Sequence, residues 1–382
     1  MKNNNKFGVI VLGGHVQGLG IIRVFGEQKI PVVLIDNTKL NIGRFSKYCQ
    51  KFYKYENNQL MKLLLDFESK SYYKNWLVIP TNDYQVKVLS ENHTILKKHF
   101  KISTDSWKSV SLCYNKILTY KTAEKIGIDI PKSFFPESIK ELERIEIEYP
   151  CIIKPAVMHE FYDKLKKKVF VCNNKAELVT FYKKATEVIP EDQIIIQEII
   201  KGPCENQFSA CFLISKNKVI SSLSACRKRQ HPIDFGNATT YAEANYVPEI
   251  LKVGERLLKE INYNGLCEVE FKKNPVTNKY ILLEINPRTW KWHLLAKKAG
   301  VDFLNNLYKI TYSESPVINQ DINYSVSWRH LVTDIPTFLE MKLSNQYKKT
   351  NKKETVYAVW NKNDILPAIF ELILLPFLIF KR

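Results

Sequence analysis

Apolar runs separated by glycine, proline and asparagine divide the chain into short alternating segments. Phe7-Gly8-Val9-Ile10-Val11-Leu12 reads as a buried strand, residues 13–20 as a tight turn, and the next dozen residues as a helix. Val32-Val33-Leu34-Ile35-Asp36 predicts a second strand ending in an acid, and Trp76-Leu77-Val78-Ile79-Pro80 a later one. Strands alternating with helices predict a parallel α/β sheet, expected over residues 1–112.

A second region, residues 113–312, has a different texture. Asn115-Lys116 opens a helical stretch that ends at Gly127. Tyr149-Pro150-Cys151-Ile152-Ile153-Lys154-Pro155-Ala156 is an apolar strand closing in a lysine, and residues 192–202 form another, interrupted by Gln197-Glu198. Ser224-Ala225-Cys226-Arg227-Lys228-Arg229-Gln230 alternates so as to place Arg227 and Arg229 on one strand face. Glu268-Val269-Glu270-Phe271 and Leu283-Glu284-Ile285-Asn286-Pro287-Arg288 flank the polar stretch 272–279, whose Pro275 and asparagines turn a hairpin.

The remaining residues, 313–382, form a C-terminal extension. Trp328-Arg329-His330 and Asp334 lie in a mixed stretch suited to closing over a site, followed by a basic run of Lys342, Lys348, Lys349, Lys352 and Lys353. The apolar end, residues 365–380, would reach about 24 Å as a helix, short of a hydrocarbon core of about 30 Å. Pro367, Pro376 and Glu371 weaken a spanning helix further. An in-plane anchor drawn to anionic lipid by the neighbouring lysines is the favoured expectation. A helix packed on the protein, or on a second copy, is the alternative.

Composition bounds the function. A chain of 382 residues with 45% hydrophobic and 25% charged residues predicts a folded protein of two or three domains. Eight cysteines are scattered without a CxxC pair, which predicts thiols in a reducing compartment. The opening residues 1–6 are polar and carry no signal-peptide pattern, so a cytoplasmic protein is expected. Net charge is +18, yet only nine of the 57 basic residues are arginine, and the lysines are spread along the chain. No nucleic-acid partner is expected from that pattern.

The hairpin carries the strongest chemical signal. Side chains alternate along a strand, so Glu268 and Glu270 share a face, as do Glu284, Asn286 and Arg288. Taken alone, two glutamates are an ordinary solvated face. Charges interrupting the apolar run Tyr280-Ile281-Leu282-Leu283 need partners, however. Folding the hairpin brings Glu270 toward Glu284 and Asn286, a hard oxygen set suited to Mg²⁺ beside phosphate. Lys154 either faces an anion or snorkels outward. The glycines of residues 13–20 with Asp36 resemble a dinucleotide fingerprint, but their spacing is not GxGxxG, which argues against NAD. That turn and Thr81-Asn82-Asp83, at the end of a later strand, could still help hold a substrate.

In their order, these motifs resemble the ATP-grasp superfamily, and within it the carboxylate–amine ligase branch typified by D-aspartate ligase. The echoes are Ile153-Lys154-Pro155-Ala156, Arg227-Lys228-Arg229-Gln230-His231-Pro232 with Gly236, and Glu284-Ile285-Asn286-Pro287-Arg288-Thr289-Trp290. The resemblance implies an ATP-grasp domain at 113–312 behind an N-terminal Rossmann-like domain at 1–112. It assigns Lys116 and Lys154 to ATP phosphates, Gln197, Glu198, Ile199 and Ile200 to the adenine hinge, and Glu205 to the ribose. Glu270, Glu284 and Asn286 become ligands for Mg²⁺, or for Mn²⁺ in its place. Arg288, with Arg227 or Arg229, would steady an acyl phosphate and the tetrahedral intermediate. The chain departs from the pattern at residues 157–168, where a glycine-rich phosphate lid is replaced by a glycine-free stretch. Either Lys168 does the lid's work there, or the stretch is a solvated charge run.

The activity so implied is an ATP- and Mg²⁺-dependent ligase that joins a carboxylate, through an acyl phosphate, to an amine such as an amino acid. A hydroxyl or thiol acceptor would keep the same fold. A membrane anchor would suit a lipid-linked cell-wall or surface-glycan acceptor at the inner face of the membrane. A membrane-associated ATP-binding sensor or scaffold is the rival outside catalysis.

Overall fold

The computed structural model describes residues 7–56, 59–68, 70–233, 238–319, 321–347 and 353–380. Gly236, Lys348, Lys349, Lys352, residues 1–6 and residues 381–382 lie outside them. Three sheets organise the chain. Strands β1 (Val9–Leu12), β2 (Val32–Asp36), β3 (Lys51–Lys54), β4 (Leu77–Ile79) and β5 (Lys101–Ile102) form a parallel sheet in the order β3-β2-β1-β4-β5. Every residue of β1 and β2 is buried, because both faces are covered. Val9 and Val11 enter one core, and Ile10 and Leu12 the other. The chain leaves β1 on one side for β2 and later returns to β4 on the other, so β1 and β4 flank a topological switch point.

The turn after β1 shows what its glycines are for. Gly13 is in the left-handed region (φ 87°), and a Cβ on Gly18 would collide with the Gly13 carbonyl. Asp36, at the end of β2, accepts the Gly14 amide at 2.7 Å and the Thr38 amide at 3.2 Å. The acid therefore holds the turn's own backbone.

A small antiparallel sheet follows: β6 (Ser133–Phe134), β7 (Cys151–Pro155), β8 (Phe170–Cys172) and β9 (Ile194–Glu198), ordered β6-β9-β7-β8. The lid stretch is the helix Met158–Leu165, stopped at Lys166 by a left-handed residue. The largest sheet is ordered β14-β13-β10-β11-β12-β15-β16, with β10 (Gln207–Ser215), β11 (Lys218–His231), β12 (Ala238–Ala244), β13 (Gly265–Lys273), β14 (Tyr280–Asn286), β15 (Val326–Arg329) and β16 (Glu354–Tyr357). One hydrophobic core joins it to the parallel sheet through Leu19, Phe25, Trp290 and Leu304.

One expectation is corrected here. Arg227 and Arg229 do not share a face, because a register shift between them inserts an extra residue into β11. Arg229 instead donates to both Asp334 oxygens at 2.8 Å and lies over the Tyr241 ring, while Asp334 is fully buried. Trp328 and Arg329 belong to β15, inside the sheet, while His330, which follows them, lines the cleft. Lys353, the last lysine of the basic run, turns inward to Glu243 at 3.3 Å.

The apolar end is the helix Leu366–Phe380, docked on one side and bare on the other. Asp364, just before it, accepts from Arg23 (2.9 Å), Ser46 Oγ (2.7 Å) and the Lys47 amide (2.9 Å). Phe370 stacks on Phe45, Glu371 meets His330 at 2.6 Å, and Leu374 is buried. Leu366, Ile369, Leu372, Ile373 and Phe377 are exposed. Asp364→Ala leaves Arg23 buried without its carboxylate and is expected to cost about 3–5 kcal/mol of stability, read by urea denaturation. A loss below about 1 kcal/mol would mean that the pair contributes no more than a surface one.

Candidate active site

The three sheets meet at one cleft of about 1630 Å³. Its walls carry Lys154 and residues 197–201 from the small sheet, Arg227, Glu268, Glu270, Glu284 and Asn286 from the large one, and His15 and residues 81–83 from the parallel one. The hairpin supplies the floor. β13 and β14 pair so that Glu268 faces Asn286 and Glu270 faces Glu284. The Asn286 amide donates to Glu270 Oε1 at 3.1 Å and to Glu268 Oε2 at 3.3 Å.

Cations ring this floor. Arg227 donates to Glu270 at 3.2 Å and to Gln207 at 3.1 Å, and Gln207 donates to Glu270 as well. Arg288 donates to Asn286 Oδ1 at 3.1 Å and to Asp83 at 2.6 Å, which ties the floor to the parallel sheet. Lys116 opens the helix Lys116–Lys125, whose first amides are capped by the Asn115 side chain. Its ammonium meets Glu284 at 3.0 Å. Tyr120, one turn on and on the same helix face, donates to the Leu283 carbonyl at 2.7 Å and accepts from Lys154 at 2.9 Å. Lys154 has no carboxylate partner among the described residues.

Ionisation follows from this layout. Burial, together with neighbouring Lys116, pushes Lys154 down to about 7. The Lys116 ammonium holds Glu284 down at about 2, against the cost of burial. Burial and the adjacent Glu270 carboxylate push Glu268 up to about 8, and burial also raises Glu270 despite Arg227. Glu268 Oε1 is buried and has no hydrogen-bond partner among the described residues.

These features test the implied ligands. A buried carboxylate oxygen without a partner, beside a second carboxylate and an amide, fits a hard divalent cation. A buried lysine that lacks a counter-charge fits a phosphate. Among the described residues no three His, Cys, Asp or Glu side chains are gathered to hold a metal by themselves. Glu284 lines the cleft with one oxygen on Lys116, and Glu268 stands beside the expected donors Glu270, Glu284 and Asn286.

Lys168, Gln197, Glu198, Ile199, Ile200 and Glu205 also line the cleft. Gln197 is buried and donates to Ser133 Oγ, and Glu198 accepts the Lys132 amide at 2.7 Å. Lys168 sits 5.7 Å from the Tyr162 ring. Of the predicted site residues, only Arg229 lies away from the cleft. Sequence reasoning left unassigned Tyr120, which the i, i+4 spacing from Lys116 signals, and Gln207, which nothing local marks.

Similarity to known proteins is distant and broad. The profile of the family described as "Carbamoyl-phosphate synthase L chain, ATP binding domain" matches residues 115–315. D-aspartate ligase of Enterococcus faecium (strain Aus0004) is 20% identical over 294 residues, 72% of this chain and 69% of the relative. Among solved structures, the biotin carboxylase domain of Hydrogenobacter thermophilus 2-oxoglutarate carboxylase, in complex with MgADP and bicarbonate, superposes with a TM-score of 0.67 at 17% identity. It covers 84% of this chain and 73% of that one. The L-amino acid ligase from Bacillus licheniformis gives 0.64 at 13% identity, covering 84% and 78%. These likenesses show a shared fold.

The raised Glu268 carboxyl sets a pH dependence. Between its usual 4.5 and about 8, the folded protein keeps a proton that the unfolded chain has released. Stability contributed by this group therefore falls as pH rises through that window. Unfolding midpoints from pH 5 to 8.5 should decline less in Glu268→Gln than in the parent, and Mg²⁺ should stabilise the parent more at the alkaline end. Parallel profiles, or a Mg²⁺ effect independent of pH, would contradict this assignment.

Proposed function

Because the chain belongs to the family of carbamoyl-phosphate synthase L chain ATP-binding domains, which share the ATP-grasp fold, we propose that it is an ATP- and Mg²⁺-dependent ligase joining a carboxylate to an amine. The observation that carries this reading is the opposition of Lys116 and Lys154 to the buried Glu268, Glu270 and Asn286, with Arg227 and Arg288 alongside.

A carboxylate is a poor acyl donor because oxide would have to leave. Transfer of the ATP γ-phosphoryl group to it gives an acyl phosphate, from which phosphate leaves when an amine attacks. Lys116 and Lys154 are set to hold phosphate oxygens, and an anion beside Lys154 restores the charge that burial suppresses. Arg288, braced by Asp83, and Arg227, braced by Glu270 and Gln207, are set to hold the reacting carboxylate and the oxyanion formed from it. Mg²⁺ held by Glu270, Glu284 and Asn286, with Glu268 beside them, would neutralise charge on the transferring phosphoryl group. Hinge residues 197–200 receive the adenine, and Glu205 the ribose. No protein nucleophile is required.

Purified protein with Mg·ATP should release phosphate only when a matching carboxylate and amine are both present, in a panel of amino acids and carboxylated envelope precursors. Lys154→Ala should lower that rate by 10²-fold or more, roughly what one preorganised charge contributes. ATP binding without turnover on any pair would favour the sensor reading, and no binding of ATP would overturn both.

The acceptor is proposed to be lipid-linked, a cell-wall or surface-glycan precursor at the inner face of the membrane. Support comes from the exposed apolar face of Leu366–Phe380, from Ile335, Leu339 and Leu343 exposed along the helix Leu331–Leu343, and from the +18 charge. No helix among the described residues is long and apolar enough to cross a membrane. Sedimentation with vesicles containing anionic phospholipid should capture the protein, and Leu372→Glu with Phe377→Glu should release it. Equal sedimentation of the variant would contradict membrane contact.

A further inference from the structure

The amine has no receiver among the groups assigned above, which serve the nucleotide, the metal, the phosphates and the reacting carboxylate. His15 is unassigned, and it stands at the switch point of the parallel sheet. It follows the Gly13-Gly14 turn and precedes the helix Val16–Glu27 without capping it. Open α/β sheets bind ligands in the crevice at the carboxyl ends of the strands flanking such a point, here β1 and β4.

Hydrogen bonding fixes the ring's tautomer. His15 Nε2 lies 3.0 Å from Thr81 Oγ1. That hydroxyl has one proton, and its other neighbours, the Leu12 carbonyl at 2.6 Å and Gln85 Oε1 at 3.4 Å, can only accept. Thr81 therefore gives its proton to one of them, and Nε2 must donate to Thr81. Nδ1 is left as an unprotonated acceptor, and no side chain or backbone donor among the described residues satisfies it. The ring is exposed, and it lines the cleft.

Two short connections place His15 beside the reacting centre. Thr81, its partner, is two residues from Asp83, which holds Arg288. Gln17, two residues beyond it, donates to the Thr289 hydroxyl at 2.6 Å and to the Thr289 carbonyl. Arg288 and Thr289 are thus held by Asp83 and Gln17, which lie two residues from Thr81 and His15 along the chain. Although solvent reaches the ring, its enclosure by the cleft, with Arg288 and Lys291 nearby, lowers His15 below its usual 6.5, so it is neutral near pH 7 and able to accept.

We propose that His15 Nδ1 receives the amine substrate of the ligase reaction proposed above, on which this inference rests. The imidazole accepts an N–H from the amino group and turns the nitrogen lone pair toward the acyl carbon. As the C–N bond forms, Nδ1 takes the proton that the nitrogen sheds. The bond from the acyl carbon to the phosphate oxygen then breaks, and the electron pair leaves with inorganic phosphate. The imidazolium returns its proton to solvent.

Hydroxylamine tests this directly, because it is small, largely unprotonated at neutral pH, and traps acyl phosphates as hydroxamates without being oriented. The assay uses full-length protein, Mg·ATP and the carboxylate and amine that support turnover. His15→Ala should form hydroxamate within about twofold of the parent, yet lose amide formation by 10²-fold or more, the range of general acid–base contributions. His15→Gln keeps a donor for Thr81 but lacks the Nδ1 acceptor, and should show the same split with the fold supported. Equal loss of both products in both variants would overturn the role, as would unimpaired amide formation. Absence of hydroxamate from the parent would instead overturn the ligase reading, and this role with it.

Discussion

Two neighbouring carboxylates buried on one strand face are the constraint around which this protein is arranged. Glu268 and Glu270 repel each other where water cannot screen them, and both are pushed toward protonation. The fold answers with Arg227 on Glu270, the Asn286 amide between the two, and Arg288 behind Asn286. One oxygen of Glu268 is left without a hydrogen-bond partner among the described residues. On the opposite wall Lys154 has the complementary deficit, a cation short of an anion. A Mg²⁺–polyphosphate would answer both deficits at once, with the groups that hold it already in place.

Each sheet contributes one part of that arrangement. The antiparallel hairpin fixes the acids, because its pairing sets Glu268 against Asn286 and Glu270 against Glu284. The small sheet brings the lysine and the hinge. The parallel sheet brings His15 and, through Asp83, a hold on Arg288. Buried Arg229–Asp334 and Arg23–Asp364 pairs keep the C-terminal segment on the body of the protein, leaving the outer face of its last helix bare. Chemistry and the surface proposed to meet a membrane are thus carried by one connected body.

What the sequence disclosed depended on whether a local pattern encoded it. The hairpin was legible because a period of two alone puts Glu268 with Glu270 and Glu284 with Asn286. The parallel sheet was legible from its continuous apolar strands. Arg229 misled because period-two reasoning assumes an unbroken strand, and one bulged residue sends it away from Arg227. The Lys116–Glu284 pair joins positions 168 residues apart and had no local signature. The helix Met158–Leu165 was obscured because it mixes charge and aromatics without a cap residue at Val157. His15 looked like part of a glycine turn, and only its bond to Thr81, 66 residues away, gives it a role.

The account stands on a phosphoryl group being passed to a substrate carboxylate. The most direct measurement labels that carboxylate with oxygen-18 and weighs the inorganic phosphate released during amide formation. Passage through an acyl phosphate predicts one labelled oxygen in each phosphate, with the other retained in the amide. Phosphate without label, its extra oxygen drawn from water, would mean that ATP is hydrolysed beside the carboxylate rather than spent on it, and the account would fail.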